Sequence, residues 1–345
     1  MDNSIKLDKK DLQLLRLLGE NCRFQLSTLA RALNLSKDTI RNRIKALEKN
    51  RTITHYNTLL NPRPLGYSKF QILIKFKSDI KNKQAQIEKL TKQKSISFIN
   101  TLIGKYDIHI IIDSENIFSF DKAKSEIFEI LKNSIQSYTV LTFFNDIKHT
   151  NLIPETSMDV KVQKNLDTSF SSLLSPTFEV EQTTPDYTPD SLDIEILKIL
   201  TKNPRETLVQ ISKDLKYNRE TIKQRIVKLI KNRVIMNFGA NLSFDSFNYT
   251  TYFILIKTNR GVDERDLKNS FKSVDNLFYC AKTLGDYSLI AYILAKSPTQ
   301  LKETIKKIQE ILGDSMSESD LLIFDELLLY KQLPPNLLEE IRKND

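Results

Sequence analysis

Glycine is scarce in this chain. Seven glycines are scattered through 345 residues, which leaves no glycine-rich loop of the kind that cradles nucleotide phosphates. Two cysteines, Cys22 and Cys280, can build neither a disulfide framework nor a four-cysteine metal site. Of the three histidines, His55, His109 and His149, no two stand at metal-ligand spacing. No apolar run approaches the roughly 20 residues that span a bilayer. The opening Met1-Asp2-Asn3-Ser4 has no basic-then-apolar signal pattern. These absences predict a cytoplasmic protein with no metal or organic cofactor and no membrane partner.

What is present is a globular composition, 40% hydrophobic and 28% charged, in a chain long enough for several domains. The net charge of +9 is unevenly spread. Residues 1–60 carry +6, 61–149 +5, 150–189 −4, 190–242 +5 and 243–345 −3. Two short segments are therefore densely basic. Such segments favour a polyanionic partner, because lysine and arginine displace counterions condensed on phosphate. A solvated lysine-rich surface would look the same.

The basic segments open the two copies of an internal repeat at an offset of 182 residues. Asp11-Leu12-Gln13-Leu14-Leu15 lies over Asp193-Ile194-Glu195-Ile196-Leu197, and the register runs ungapped to Ile72-Leu73-Ile74-Lys75 over Ile254-Leu255-Ile256-Lys257. Thr39-Ile40, Arg43-Ile44, Leu47 and Asn50-Arg51 recur as Thr221-Ile222, Arg225-Ile226, Leu229 and Asn232-Arg233. A one-residue deletion then brings Gly104-Lys105-Tyr106-Asp107 over Gly285-Asp286-Tyr287-Ser288.

Each copy opens with three helical patterns. Asp8 and Asp190 stand at N-cap positions, with Asp11 and Asp193 in the first turn, where carboxylates accept free amides and favour the positive helix end. Leu26, Leu29, Ala30 and Leu33 mark a short second helix. After a tight turn, Ser36 and Asn218 cap a third. On that helix Ile40, Ile44 and Leu47 form the inward stripe, so Asp38, Arg41, Asn42 and Lys45 project outward. The second copy presents Glu220, Lys223, Gln224 and Val227 on the same arc, with Arg219 and Lys228 beside it. Long basic and amide side chains on such a face reach base edges and phosphates in a major groove. A short helix, a turn and a helix with a basic outer face, occurring twice, predict helix-turn-helix binding to double-stranded DNA. The candidate contacts are Ser36, Lys37, Thr39, Arg41, Asn42, Arg43 and Lys45, and Asn218, Arg219, Thr221, Lys223, Gln224, Arg225 and Lys228. Arg43 and Arg225 flank the apolar stripe, which suits either a phosphate contact or a structural anchor.

Residues 52–57 and 234–239 read as the starts of β-ribbons, which makes each head a winged helix. Before them, Arg51 and Arg233 stand where turns often use glycine, and Asn50 and Asn232 are the expected left-handed residues. The rest of each copy alternates strand and helix patterns. Strands are expected at 69–76, 95–103, 107–112 and 138–144, with helices at 82–93 and 118–131. The second copy repeats the order βαββαβ, its last strand at 319–328. The fold class is α+β: two copies of a winged helix-turn-helix followed by a ferredoxin-like βαββαβ domain. Such a sheet leaves one apolar face uncovered, and the sister domain is the expected cover.

This order of domains resembles the Lrp/AsnC family of feast/famine transcription regulators. The resemblance is carried by Asp8 to Asp11, Arg23, Leu29-Ala30, Ser36, the run Thr39 to Glu48 and Ile53. In the second half it rests on Asp190 to Asp193, Arg205, Ile211, Thr221-Ile222, Arg225-Ile226, Leu229 and Ile235. It implies DNA binding by the winged helices and self-association through the sheet domains, as an intrachain pseudo-dimer or a homo-oligomer. It also implies an amino-acid effector near the glycine-x-tyrosine signature, at Gly104, Tyr106, Asp107, Gly285 and Tyr287. Ser288 stands where the signature has aspartate and offers a neutral hydrogen bond in place of a carboxylate, and the glycines equally suit plain turns.

The expected boundaries are 1–60 and 189–242 for the winged helices, and 61–150 and 243–332 for the βαββαβ domains. A linker spans 151–188, with a docking patch at Phe170, Leu173 and Leu174, and a tail spans 333–345, with a short helix at 336–342. Two other functions fit the same pattern. One is an architectural protein that binds DNA with little sequence preference. The other is an enzyme, since some proteins that resemble this family are sirohaem decarboxylases, occasionally fused as two copies. That role calls for a histidine and arginine cluster in the sheet domain, and Leu277–Leu284 contains no histidine.

Overall fold

In chain order the first copy runs α1 (Lys9–Glu20), α2 (Leu26–Leu33), α3 (Lys37–Lys49), β1 (Ile53–Leu60), β2 (Ser68–Phe76), α4 (Lys83–Thr91), β3 (Ile96–Ile103), β4 (Ile108–Ser114), α5 (Ile117–Leu131) and β5 (Ile135–His149). The second repeats it as α6 (Ser191–Lys202), α7 (Leu208–Leu215), α8 (Arg219–Lys231), β6 (Ile235–Leu242), β7 (Thr250–Thr258), α9 (Glu264–Phe271), β8 (Leu277–Gly285), β9 (Leu289–Ala295), α10 (Pro298–Leu312) and β10 (Met316–Tyr330). The computed structural model describes residues 7–78, 82–150, 152–156, 170–174 and 187–333. The expected tail helix at 336–342 lies outside the described residues. The chain divides into two units: Met1–Asn61 with His149–Tyr249, and Pro62–Lys148 with Thr250–Asp345.

The first unit holds both helix-turn-helix heads. Asp8 and Asp190 each accept the amide three residues on, while Asp11 and Asp193 bond back to the cap amide, closing a reciprocal capping box. Leu14, Leu15, Leu17 and Leu18 of α1 are fully buried, as are Ile196, Leu197 and Leu200 of α6.

The wing strands do not form separate ribbons within each copy. β1 and β6 pair with each other, antiparallel, in register from Ile53 opposite Leu242 to Leu60 opposite Ile235. The exchange continues into side-chain and backbone contacts. The Cys22 amide donates to the Phe238 carbonyl at 2.7 Å, and the Thr58 hydroxyl donates to the Leu200 carbonyl. Each strand thus packs on the helices of the other copy.

The left-handed turn before each wing falls one residue later than expected. Asn50 and Asn232 keep negative φ, −81° and −83°, whereas Arg51 and Arg233 adopt 57° and 58°. The asparagine amides still complete helical bonds, to Ala46 and Lys228, so the reversal passes to the arginines. The linker patch docks as expected on this unit: Phe170 is fully buried and Leu174 nearly so. The Arg23 guanidinium lies 5.7 Å from the Phe170 ring centre and 5.2 Å from that of Phe238.

The second unit contains both βαββαβ domains, joined as a closed barrel of order β10-β3-β4-β2-β5-β8-β9-β7. The last strand of each copy is longer than its pattern suggested, 15 residues in β5 and in β10. The reason is that each serves two sheets. β10 pairs with β7 of its own copy through 316–323, then with β3 of the first copy through 323–330. β5 likewise joins β2 to β8.

Three apolar layers result. Ile72, Ile74, Ile110, Ile127 and Leu131 lie between the first sheet and its helices, and Ile254, Ile256, Phe271, Ile293 and Ile308 between the second sheet and its own. Leu73, Leu102, Leu141, Phe253, Leu255 and Ile290 fill the space between the sheets, covering the faces expected to need a partner. Each fully buried side chain of this size contributes about 2 kcal/mol.

The backbones approach closely where the signature glycines stand. Gly285, at φ 134°, would place a Cβ 2.7 Å from the Val140 carbonyl oxygen and 2.9 Å from Leu141 Cδ2. Gly104, at φ 140°, would place one 3.4 Å from the Leu321 carbonyl oxygen. Gly285→Ala is predicted to cost about 3 kcal/mol, from steric overlap added to backbone strain, and Gly104→Ala roughly half as much, from strain alone. Denaturant unfolding followed by far-ultraviolet circular dichroism checks the order; equal losses would contradict the closer approach at Gly285.

Candidate nucleic-acid interface

The outer faces of α3 and α8 are built alike. The turn before α3 places Asn34 in the left-handed region at φ 52°, and Lys216 does the same before α8 at 58°. Ser36 then accepts the Thr39 amide at 3.0 Å and Asn218 the Thr221 amide at 2.7 Å, so both helices start from capped turns. Ile40, Ile44 and Leu47, and Ile222, Ile226 and Leu229, are buried. Their burial fixes the rotation of each helix.

That rotation leaves Lys37, Arg41, Asn42 and Lys45 exposed on α3, and Arg219, Gln224 and Lys228 on α8. Lys223 is half-buried, its ammonium 3.9 Å from Glu220. Arg41 pairs with Asp38 along its own helix. Lys228 holds its ammonium 5.1 Å from the Tyr187 ring centre. Thr39 and Thr221 are partly buried within the caps, and the Thr39 and Ser36 hydroxyls lie 2.8 Å apart.

Arg43 and Arg225 face inward. The Arg43 guanidinium lies 2.6 Å from Asp11 and 2.8 Å from Asp8, and Arg225 reaches Asp190 and Asp193 in the same way. Burial at each cap opposes ionisation. The Asp11 amide and the Arg43 guanidinium outweigh it and hold the Asp8 carboxyl below its ordinary range. At Asp190 the Asp193 amide and Arg225 do the same. Tyr187 adds a 2.6 Å bond to Asp193.

The signature residues of the sheet unit are occupied with its own structure. Asp107 accepts the Phe76 amide at 2.8 Å and lies 3.2 Å from the Lys75 ammonium. Ser288 accepts the Thr258 amide at 3.2 Å, so the two unlike residues do one job. Tyr106 and Tyr287 are buried. Tyr287 donates to Asp320 at 2.5 Å, and the Lys105 ammonium stands 2.8 Å from both groups. Gly104 and Gly285 mark the close approaches described above.

Sequence reasoning passed over the Lys105–Tyr287–Asp320 network because Asp320 is 215 residues from Lys105. It also gave no role to His109. That ring is fully buried, with Nε2 2.8 Å from Gln71 and Nδ1 3.2 Å from Asn100. Burial depresses its pKa to about 3, so it is a neutral imidazole. Among the described residues no group of three or more His, Cys, Asp or Glu could hold a metal ion, and no helix is long and apolar enough to cross a membrane.

The AsnC-type helix-turn-helix domain model matches this chain twice, at residues 7–48 and 190–230. The transcriptional regulator LysM of Sulfurisphaera tokodaii is 26% identical over 134 residues, 39% of this chain and 94% of that protein. The transcriptional regulator Ptr1 of Methanocaldococcus jannaschii is 31% identical over 142 residues, 41% of this chain and 95% of its own length. Among solved structures, that of the siroheme decarboxylase NirDL aligns with 97% of this chain and 99% of its own, with a TM-score of 0.60 at 12% identity, a likeness of fold alone. The chain is a member of the Lrp/AsnC family of transcription regulators, carrying two copies of the family's helix-turn-helix domain in one polypeptide.

Proposed function

We propose that this protein is a sequence-reading regulator that binds duplex DNA through two unlike recognition helices, α3 and α8. The observation that carries the reading is the pair of capped helices whose outward arcs differ at matched positions: exposed Arg41 against half-buried Lys223, Asn42 against Gln224, and exposed Lys45 against half-buried Val227. Arg41, Asn42, Lys45, Lys223 and Gln224 contact base edges. Ser36, Lys37, Thr39, Asn218, Arg219, Thr221 and Lys228, at the caps and flanks, contact phosphates. Arg43 and Arg225 act as anchors that fix each recognition helix to the first helix of its head.

The sheet unit makes the pseudo-dimer within one chain. Gly104, Tyr106, Gly285 and Tyr287 serve where its sheets join, and Asp107 ties the start of β4 to β2, since the polar groups there are met by the protein's own atoms. A family regulator that reads a palindrome does so with two identical heads. Here the heads are fused and different, so the preferred site is a pair of unequal half-sites. The siroheme decarboxylase reading draws no support from the histidines: His109 is enclosed by Gln71, Asn100 and aromatic rings.

Selection from random duplex DNA at near-physiological salt is expected to enrich a two-part, asymmetric motif. Arg41→Ala and Lys223→Ala should each weaken binding to it roughly tenfold or more, in line with about 1–3 kcal/mol per specific base contact. Equal enrichment of a perfect palindrome would contradict unequal heads. Steeply salt-dependent binding without any motif would establish the architectural alternative.

The anchor role has its own signature. A carboxyl held below its ordinary pKa in the folded state contributes stability that is present above the unfolded value and lost as pH falls through the folded one. Carboxyl-detected NMR titration should therefore place Asp8 and Asp190 below the usual aspartate range. Arg43→Gln should move Asp8 upward and Arg225→Gln should move Asp190 upward. No movement would remove the ion pairs as the cause.

A further inference from the structure

The unit that holds the two heads also contains a cavity of about 360 Å³, beside the first turns of α2 and α7. Its walls come from matched stretches of the two copies. Arg23 and Arg205 are counterparts at the 182-residue offset, as are Leu26 and Leu208, and all four line it. Arg219, the first residue of α8, is a third guanidinium there, and its counterpart Lys37 is not among the lining residues. Among the described residues the lining includes no carboxylate.

The charges are placed differently. Arg23 is buried, its guanidinium donating to the carbonyl oxygens of Pro204 at 2.5 Å and Glu206 at 2.8 Å. Burial lowers its pKa to about 10, which leaves it cationic at neutral pH in a place where water screens it poorly. Arg205 is held by the Tyr56 hydroxyl at 3.1 Å, stacks over that ring and lies 3.8 Å from the Glu48 carboxylate. Arg219 is exposed and makes no hydrogen bond or ion pair among the described residues. Of the carboxylates next in sequence to these arginines, Glu206 accepts the Thr207 amide at 3.0 Å and Asn203 at 2.9 Å, and Glu220 lies 3.9 Å from the Lys223 ammonium.

The remaining wall is apolar: Phe24, Leu26, Leu208 and Val209, with Cys22, whose thiol burial pushes up to about 12 and so keeps neutral. At about 30 Å³ per water, the cavity holds on the order of 12 waters, or an organic molecule of similar heavy-atom count. A phosphate or sulfate alone would leave the apolar wall unused, and a neutral hydrocarbon would leave the Arg219 guanidinium unanswered.

We infer that this cavity is a binding site for a small organic carboxylate with an apolar body, its carboxylate on Arg219 and its body against Leu26, Leu208 and Val209. The site is built from residues of the unit that holds the heads and from none of the sheet-domain signature, and it includes the first residue of α8. Its regulatory consequence rests on the function proposed above: a bound carboxylate takes up Arg219, which would otherwise contact a DNA phosphate, and weakens binding by the second head.

The test is isothermal titration calorimetry of the full chain with 4-methylpentanoate, with 4-methylpentanol and inorganic phosphate as controls. The carboxylate is expected to bind with a dissociation constant below about 1 mM, and each control at least tenfold more weakly. Arg219→Gln and Val209→Trp, both at exposed positions, should each weaken binding at least tenfold while leaving the thermal unfolding midpoint unchanged. Binding that neither variant alters would overturn the location. Phosphate binding as tight as the carboxylate would overturn the ligand class, and no binding would overturn both. DNA affinity is measured separately with and without 4-methylpentanoate. Loss of the function proposed above would appear there as an absence of DNA binding, with the calorimetric result intact.

Discussion

A β-strand at the edge of a sheet presents a row of amides and carbonyls that must find partners in water or in another strand. Each βαββαβ copy, taken alone, has such edges and one face bare of helices. Both problems are met by the same device. β5 and β10 run on past their own sheets and pair with β8 and β3 of the other copy, so the barrel closes and no edge remains. The sheet faces then bury Leu73, Leu141, Phe253 and Leu255 against each other. Gly104 and Gly285 permit this closure: both hold a backbone conformation that favours glycine, and at Gly285 a side chain would also strike the backbone of the opposite copy's last strand.

The helix-turn-helix unit uses the same device on a smaller scale. A lone strand of eight residues is not a stable element. β1 and β6 solve this by pairing with each other, and each lies on the other copy's helices. The rotation of α3 and α8 follows from burial of Ile40, Ile44 and Leu47 and their counterparts. Arg43 and Arg225 reinforce it by tying α3 and α8 to the capping box that opens each head. The two outer faces are thus set by the same packing while bearing different side chains.

Duplication within one chain changes what selection can act on. In a dimer of identical chains, any change to one head is copied to the other. Here Asp107 and Ser288 have diverged while both still accept an amide of the neighbouring strand. The outer faces of α3 and α8 have diverged as well, and one wall of the arginine-lined cavity holds Arg219 without a matching residue from α3.

Much of this was legible in the residues alone. The 182-residue repeat, the capping aspartates, the inward stripe of α3 and the βαββαβ order depend on local periodicity and on side chains a few positions apart, which sequence records directly. The exposed faces of α3 and α8 follow from the same periodicity. Other features were not legible, because they depend on which distant backbone supplies a partner. Exchange of the wing strands, the crossing of β5 and β10, the Lys105–Tyr287–Asp320 network and the cavity among Arg23, Arg205 and Arg219 all join residues far apart in the chain. The left-handed turn at Arg51 and Arg233 was misplaced by one residue, since the amides of Asn50 and Asn232 still had helical acceptors to satisfy. Sequence by itself determined the elements and the chemistry they display. Tertiary structure alone decided how the two copies complete each other, because an unpaired backbone group accepts any strand that geometry brings to it.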